Sequence, residues 1–461
     1  MGFALTLLYL ATTYLGPSTV FGPLAAYRVE LLLAALVFLV SLPAIPRSML
    51  LKTPQSLALL GLTAAVFLSI LVTGWAGGAV QALEAFLPNA FAFFLVCIHA
   101  NSRRKLQTLI VMMIFVCLFV VARGSMDLLH GVPAGGPSYS EATENADYAL
   151  WNFEHPYLLP MRNSNNVWFY RLRGQNQIND PNDFGQVLVC VIPLLFMFWR
   201  PKRNFLNFIV VLLPACALLA GTFLTHSRGA LVALAVMSVL LLRRRIGTIP
   251  SAVLAVGLFA AAMTYGFSGG RDLGSGSGRM VLWAESIGLL KAHPLFGVGF
   301  QRILDFQENT THNSIMVCAA ELGMFGLYFW TMFLLATLRD VKTLSSPAKV
   351  SEGMRKAPEA SYFPQAGSAK AVVNRDEIVR MGKLMMISLA GYLVTGFFLS
   401  RALVTTFFLL GGVSEVIYQL ALEQEMVPQR FKMKRLLLYA APLSIGLVVG
   451  VYIFIRIGIL F

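Results

Sequence analysis

Long apolar runs separated by short polar breaks set the pattern of this chain from one end to the other. The runs lie near 3–20, 29–45, 56–74, 82–99, 106–125, 184–199, 205–222, 229–242, 247–266, 314–337, 382–400, 403–420 and 436–458. Their continuous hydrophobicity predicts helices that cross a hydrocarbon core of roughly 30 Å, and the lack of period-2 alternation argues against a membrane barrel. The fold class this predicts is all-α: a polytopic membrane protein with about 12–13 transmembrane helices. The first run has no basic residue before it and no small-residue cleavage site, so it reads as an anchor rather than a removed signal peptide.

Composition agrees, with 57% hydrophobic and 13% charged residues. The net charge of +14 would suit a nucleic-acid partner, but its placement points elsewhere. With the N-terminus in the cytoplasm, 24 of the 36 lysines and arginines fall at inner helix ends and in the inner loops 338–383 and 421–435. That bias follows the positive-inside rule, and no basic patch carries the interleaved aromatics of a base-stacking platform, so no nucleic-acid partner is expected. The five cysteines, Cys97, Cys117, Cys190, Cys216 and Cys318, lie within apolar runs without metal-ligand spacing and read as core residues. The methionines and phenylalanines read as packing or lipid-facing residues.

Five segments organise the chain: N-terminal transmembrane helices 1–125, a first outer loop 126–183, core helices 184–337 with a second outer loop 267–313, an inner loop 338–383, and C-terminal helices 384–461. The first outer loop holds seven acidic and three basic residues and eight aromatics, Tyr139, Tyr148, Trp151, Phe153, Tyr157, Trp168, Phe169 and Tyr170. Such a surface suits a membrane interface or the face of a sugar. No internal repeat is evident, which weakens an inverted-repeat transporter, the main rival class.

The unusual polar residues converge on the outer side. Arg171 and Arg173 end the first outer loop, Arg228 opens the eighth run, and Arg279, His312 and Asn313 belong to the second outer loop. Guanidinium forks bind phosphate oxygens bidentately and stay charged in a partly dry site. A helix starting near Asn313 or Ser314 offers backbone donors to the same anion, and a histidine, ordinarily titrating near 6.5, can take a proton from an attacking hydroxyl. Each residue has a structural alternative. Arg228 suits interfacial snorkelling, Arg279 an ion pair with Glu285 or Asp272, and Arg171 or Arg173 a pair with Asp180 or Asp183. His312 suits the neighbourhood of a helix cap, His226 a structural role, and Glu321 a buried hydrogen-bonded carboxylate. Gly297, Gly299, Gly323 and Gly326 read as tight turns and close packing.

These residues also carry a resemblance. Asp180-Pro-Asn-Asp-Phe-Gly185, Ser227-Arg-Gly-Ala230, Arg279 with Trp283, His293-Pro-Leu-Phe-Gly-Val-Gly299 and Thr311-His-Asn-Ser314 followed by Ala320-Glu-Leu-Gly-Met-Phe-Gly326 resemble, in order and spacing, the O-antigen ligase and O-antigen polymerase superfamily. The resemblance covers roughly 170–335. It implies a GT-C-like enzyme of the bacterial inner membrane with two long periplasmic loops. Such an enzyme transfers a glycan from an undecaprenyl-pyrophosphate carrier to a hydroxyl acceptor, lipid A-core in ligases, without cofactor or metal and with inversion. Related members polymerise polysaccharide or glycosylate protein. By position, Arg228 and Arg279 would bind the pyrophosphate and His312 would activate the acceptor, with Arg171, Arg173 and Asn313 as further substrate-binding candidates.

Overall fold

The computed structural model describes residues 1–20, 24, 27–47, 53–132, 151, 153–162, 168–264, 275–348, 350, 374–428 and 433–460. All thirteen apolar runs coincide with helices: α1 (Gly2–Leu15), α2 (Val29–Ser41), α3 (Pro54–Leu71), α4 (Ala76–His99), α5 (Arg103–His130), α6 (Pro181–Leu195), α7 (Asn204–Leu224), α8 (Arg228–Ile246), α9 (Thr248–Thr264), α11 (Ser314–Leu344), α12 (Arg375–Gly396), α13 (Thr405–Glu423) and α14 (Met433–Leu460). Among the described residues, nine helices are long and apolar enough to cross a membrane. Helices α1, α2 and α9 are shorter apolar ones, and α8 carries arginines at both ends. A helix satisfies its own backbone, which is why apolar sequence in lipid takes this form. Side-chain caps mark several starts: Thr53 for α3, Asp180 for α6 with Pro181 at the first position, Ser227 for α8 and Asn313 for α11.

Two elements arise where the hydrophobic pattern predicts only loop. A helix α10 (Ser275–Ala292) occupies much of 267–313. Its Gly/Ser/Arg start interrupts the apolar run, yet Trp283 and Ile287, four apart, form one face and pack with Met316, Val451 and Ile455. In the first loop, β1 (Leu158–Arg162) pairs antiparallel with β2 (Trp168–Leu172), Leu158 opposite Leu172 and Leu159 opposite Arg171. This hairpin is the single sheet among the described residues, so the all-α class holds. Tyr139, Tyr148 and Asp272 lie outside the described residues.

The chain forms two compact units. The first contains Met1–Val40, Gln107–Leu273 and Ile387–Thr395; the second contains Ser41–Leu106, Gly274–Met386 and Gly396–Phe461. In the first, α6 is buried along almost its whole length. Val189 packs with Ala230, Ala233, Met237 and Ile387. Gln186 Nε2 donates to Thr395 Oγ1 (2.9 Å) and Ser388 Oγ to Cys190 O (2.6 Å), bonds that a dry interior favours because water cannot replace them.

The second unit is built around α11. Edge-to-face rings link Phe86 to Phe408 (5.9 Å), Phe408 to Phe333 (5.4 Å) and Phe333 to Phe93, so these phenylalanines are packing residues. Helix α11 is broken at Gly323, whose φ of 64° and ψ of −168° are open essentially to glycine. The break turns backbone groups outward, and the segment 294–299 takes them up. Val298 N donates to Ala320 O (2.9 Å), Gly299 N to Glu321 O (3.0 Å), Met324 N to Pro294 O (2.8 Å) and Phe325 N to Leu295 O (3.1 Å). Gly297, also at positive φ, lies so close to the Ala320–Glu321 backbone that a Cβ would overlap it. The glycines of the His293–Gly299 motif therefore serve close packing against a broken helix. Glu321 is buried beside this contact. Of the cysteines, Cys117, Cys190 and Cys318 are buried, whereas Cys216 is exposed on α7 and is not a core residue.

Candidate functional site

Each unit holds one cluster of the residues singled out in the sequence. In the first, Arg171 on β2 is buried, 3% exposed. Its Nε donates to Thr225 O (2.9 Å) and its Nη2 to Asn182 Oδ1 (2.9 Å), so this guanidinium braces the turn between α7 and α8 against the start of α6. Asp180, the alternative partner, caps α6 by accepting from Asn182 N (2.7 Å). Arg173 is also buried, and its backbone amide donates to Tyr157 O (2.9 Å), extending the hairpin's hold on the loop. Arg228 is the first residue of α8 and half-buried, directly after the cap Ser227.

In the second unit, Thr311, His312 and Asn313 lead into α11. Asn313 is completely buried, and its Oδ1 accepts from Ile315 N (2.9 Å) and Met316 N (3.1 Å). Two helix amides expected to meet an anion are therefore already held by the cap. The outward donor is instead Asn313 Nδ2, buried and without a hydrogen-bond partner among the described residues. The cap's oxygen draws on the helix amides, which polarises the carboxamide and strengthens that donor. Trp283 Nε1 donates to Thr311 O (2.6 Å). Arg279 precedes Trp283 by four residues on α10, so the face carrying both is laid toward the Thr311–Asn313 turn.

The two turns share one local design. In each, a threonine hydroxyl accepts from the cap's amide: Thr225 Oγ1 from Ser227 N and Thr311 Oγ1 from Asn313 N, both at 3.3 Å. In each, a half-buried histidine between them takes a left-handed backbone, His226 at φ 49° and His312 at φ 47°. Such a conformation costs a non-glycine residue on the order of 1 kcal/mol and concentrates at functional positions. The His226 ring sits edge-on to Phe169 at 5.7 Å. The sequence treats these histidines unequally, since the helix-cap signal in Thr-His-Ser and Thr-His-Asn does not reveal the backbone angle before it.

The segment 397–404 was missed by sequence reasoning. Ser314 Oγ donates to Leu399 O (2.8 Å) and accepts from Arg401 N (3.1 Å), and the Thr311 and Ser400 hydroxyls are 3.1 Å apart. The available signal was a lone arginine, Arg401, in the short break between two apolar runs. Among the described residues, no three His, Cys, Asp or Glu side chains gather as metal ligands. The chemistry present is that of arginine and amide donors beside a constrained imidazole, a set that suits an oxyanion and a hydroxyl that must lose its proton.

Residues 213–331 match the family model described as O-antigen ligase. The match runs from α7 through the Thr-His-Ser turn, α10 and the Thr-His-Asn turn into α11. No curated protein and no solved structure matches the chain.

Proposed function

We propose, from the match of residues 213–331 to the O-antigen ligase family model, that the chain is a member of the O-antigen ligase and polymerase superfamily and a glycosyltransferase acting on a lipid-linked glycan. The donor is a glycan on undecaprenyl pyrophosphate, the acceptor a hydroxyl of lipid A-core or a similar molecule, and the site faces the periplasm from the bacterial inner membrane. Arg228 and Arg279 hold the pyrophosphate, and His312 takes the acceptor's proton as its oxygen attacks the anomeric carbon. The carbon–oxygen bond to the pyrophosphate breaks, undecaprenyl pyrophosphate leaves, and the anomeric configuration inverts. Arginine donors aimed at the charge developing on that leaving group supply the stabilisation a metal ion gives elsewhere.

The observation that carries this reading is the turn at His312. A left-handed backbone fixed by Thr311 and Asn313 holds an imidazole next to an orphaned carboxamide donor, inside the matched domain. Arg171 supports the reading as a brace for the turn that leads to Arg228, with its Nε and Nη2 bonded within the protein. Arg173 and Asn313 remain substrate-binding candidates.

The test is transfer by purified protein, with chelator present, from glycan-pyrophosphate-undecaprenol to lipid A-core, to a second donor molecule or to a protein acceptor. Release of undecaprenyl pyrophosphate with one acceptor modified is expected, and that acceptor separates ligase from polymerase and protein glycosylase. His312→Ala should lower the rate by roughly 10²- to 10⁴-fold, the usual share of a general base. Full activity of His312→Ala would refute its role, and donor translocation without transfer would favour a flippase.

A further inference from the structure

The first outer loop meets α5 through a small polar group that the transfer chemistry leaves unused. Asp127, in the last turn of α5, is buried, and its Oδ1 accepts from Arg123 Nη1 at 2.7 Å. Its Oδ2 faces His155 Nδ1 at 3.9 Å, inside ion-pair range and beyond hydrogen-bond reach, and neither atom has a hydrogen-bond partner among the described residues. The loop side of this contact is tied to both strands of the hairpin. His155 N donates to Trp151 O (2.8 Å), the two rings lie 4.8 Å apart, and Trp151 stacks on Tyr170 of β2 at 5.8 Å. Leu158 N, at the start of β1, donates to His155 O (3.1 Å), and Arg173 N, just after β2, to Tyr157 O (2.9 Å). Strand β2 carries Arg171, whose Nε reaches Thr225 O in the turn before Arg228.

A neutral imidazole presents Nδ1 either as a donor or as a lone pair turned on a carboxylate. The imidazolium always donates, and it adds charge attraction where little water screens it. The other groups nearby do not replace that attraction. Arg123 is bonded to the other carboxylate oxygen and opposes a second positive charge, which keeps the gain modest. Glu154 is exposed, and burial pushes the Tyr157 hydroxyl above its ordinary range, so it stays uncharged. His130, further along α5, is exposed and meets Met126 O at 2.8 Å, while the hairpin side contributes the Tyr170 ring and the buried Arg173. We propose that Asp127 and His155 are a positioning pair for the transfer reaction: protonated His155 closes on Asp127, fastens the first outer loop to α5, and so holds Arg171 on the turn that presents Arg228. This rests on the reading of the protein as a polyprenyl-diphosphate-dependent glycosyltransferase, and it adds residues outside the matched domain, which begins at 213.

The experiment compares wild type with His155→Gln, Asp127→Asn and the double variant, each full length in detergent, by melting temperature and by transfer kinetics at about pH 5.5 and about pH 8, on either side of an ordinary histidine titration. The fastening is present while the ring is protonated and is lost as the pH rises through its titration. His155→Gln should therefore melt roughly 1–3 °C below wild type at the acid pH and together with it at the alkaline one. In the Asp127→Asn background the histidine substitution should have no pH-dependent effect. A merely structural tie would stop there. A positioning pair should also raise the KM for glycan-pyrophosphate-undecaprenol at the acid pH by roughly 3- to 30-fold in His155→Gln, and that increase should vanish in an Arg171→Lys background. Melting differences that are absent, or equal at the two pH values, would overturn the fastening. A pH-dependent melting difference with wild-type KM would overturn the positioning role. If wild type transfers no glycan, the parent reading and the positioning role fall together, and the melting comparison still decides the fastening by itself.

Discussion

Replacing Gly323 with alanine tests whether the break in α11 is built by the backbone or merely tolerated. A Cβ there would run into the Leu295 carbonyl group and the Phe296 nitrogen, both backbone atoms that no rotamer change can move. The φ, ψ pair at this residue costs an alanine about 1–3 kcal/mol before any clash. Relieving the clash means displacing 294–299 from α11, which releases up to four backbone hydrogen bonds worth about 1 kcal/mol each. With all four bonds lost the total is about 5–7 kcal/mol, and at about 2 °C per kcal/mol for a large cooperative unit this lowers an apparent unfolding midpoint by roughly 10–15 °C. The assay is tryptophan-fluorescence melting in detergent at one scan rate, with Gly288→Ala as control. Gly288 lies inside α10 with nothing near its would-be Cβ, so alanine there should be neutral or raise stability by about 1 kcal/mol. A Gly323→Ala protein that melts with wild type would refute the claim that positive φ and the 294–299 contact hold the break.

Two further substitutions separate structural from functional roles. Asn313→Ala should destabilise the protein by about 1–2 kcal/mol through loss of the cap, whereas Asn313→Asp should keep the cap and the melting temperature but weaken donor binding through loss of Nδ2; equal donor affinity in the aspartate variant would show that Nδ2 contacts nothing. Arg171→Ala leaves the Thr225 carbonyl and Asn182 Oδ1 without their donor, and should cost about 2–4 kcal/mol of stability alongside any loss of transfer. Loss of transfer at unchanged melting temperature would instead make Arg171 a direct ligand.

Much of the architecture was legible because lipid leaves apolar sequence few options. Each apolar run became a helix, and the alternation of their ends is visible in contacts at both ends of the second unit. Ser314 at the start of α11 meets Leu399 beyond the end of α12, whereas Arg103 and Glu377, at the starts of α5 and α12, pair at 2.8 Å. The helix start near Asn313 was likewise local and readable, whereas Asp180, read as an ion-pair partner, turned out to cap α6. Helix α10 was not legible, because its short apolar face becomes hydrophobic burial only once Met316, Val451 and Ile455 arrive from elsewhere in the chain.

The sequence by itself determined the membrane class, the positions of the spanning helices, and the stretch in which the arginines and His312 occur. Periodicity, capping and charge bias act over a few residues, so a linear reading can sum them. Only the tertiary structure decided what those residues touch. Arg171 reaches a carbonyl 54 positions away, Thr311 faces Ser400 across 89, and Ser314 holds Arg401 across 87. Bonds over such separations form only after the helices have packed, because their geometry is set by the fold and by no local preference of the residues that make them.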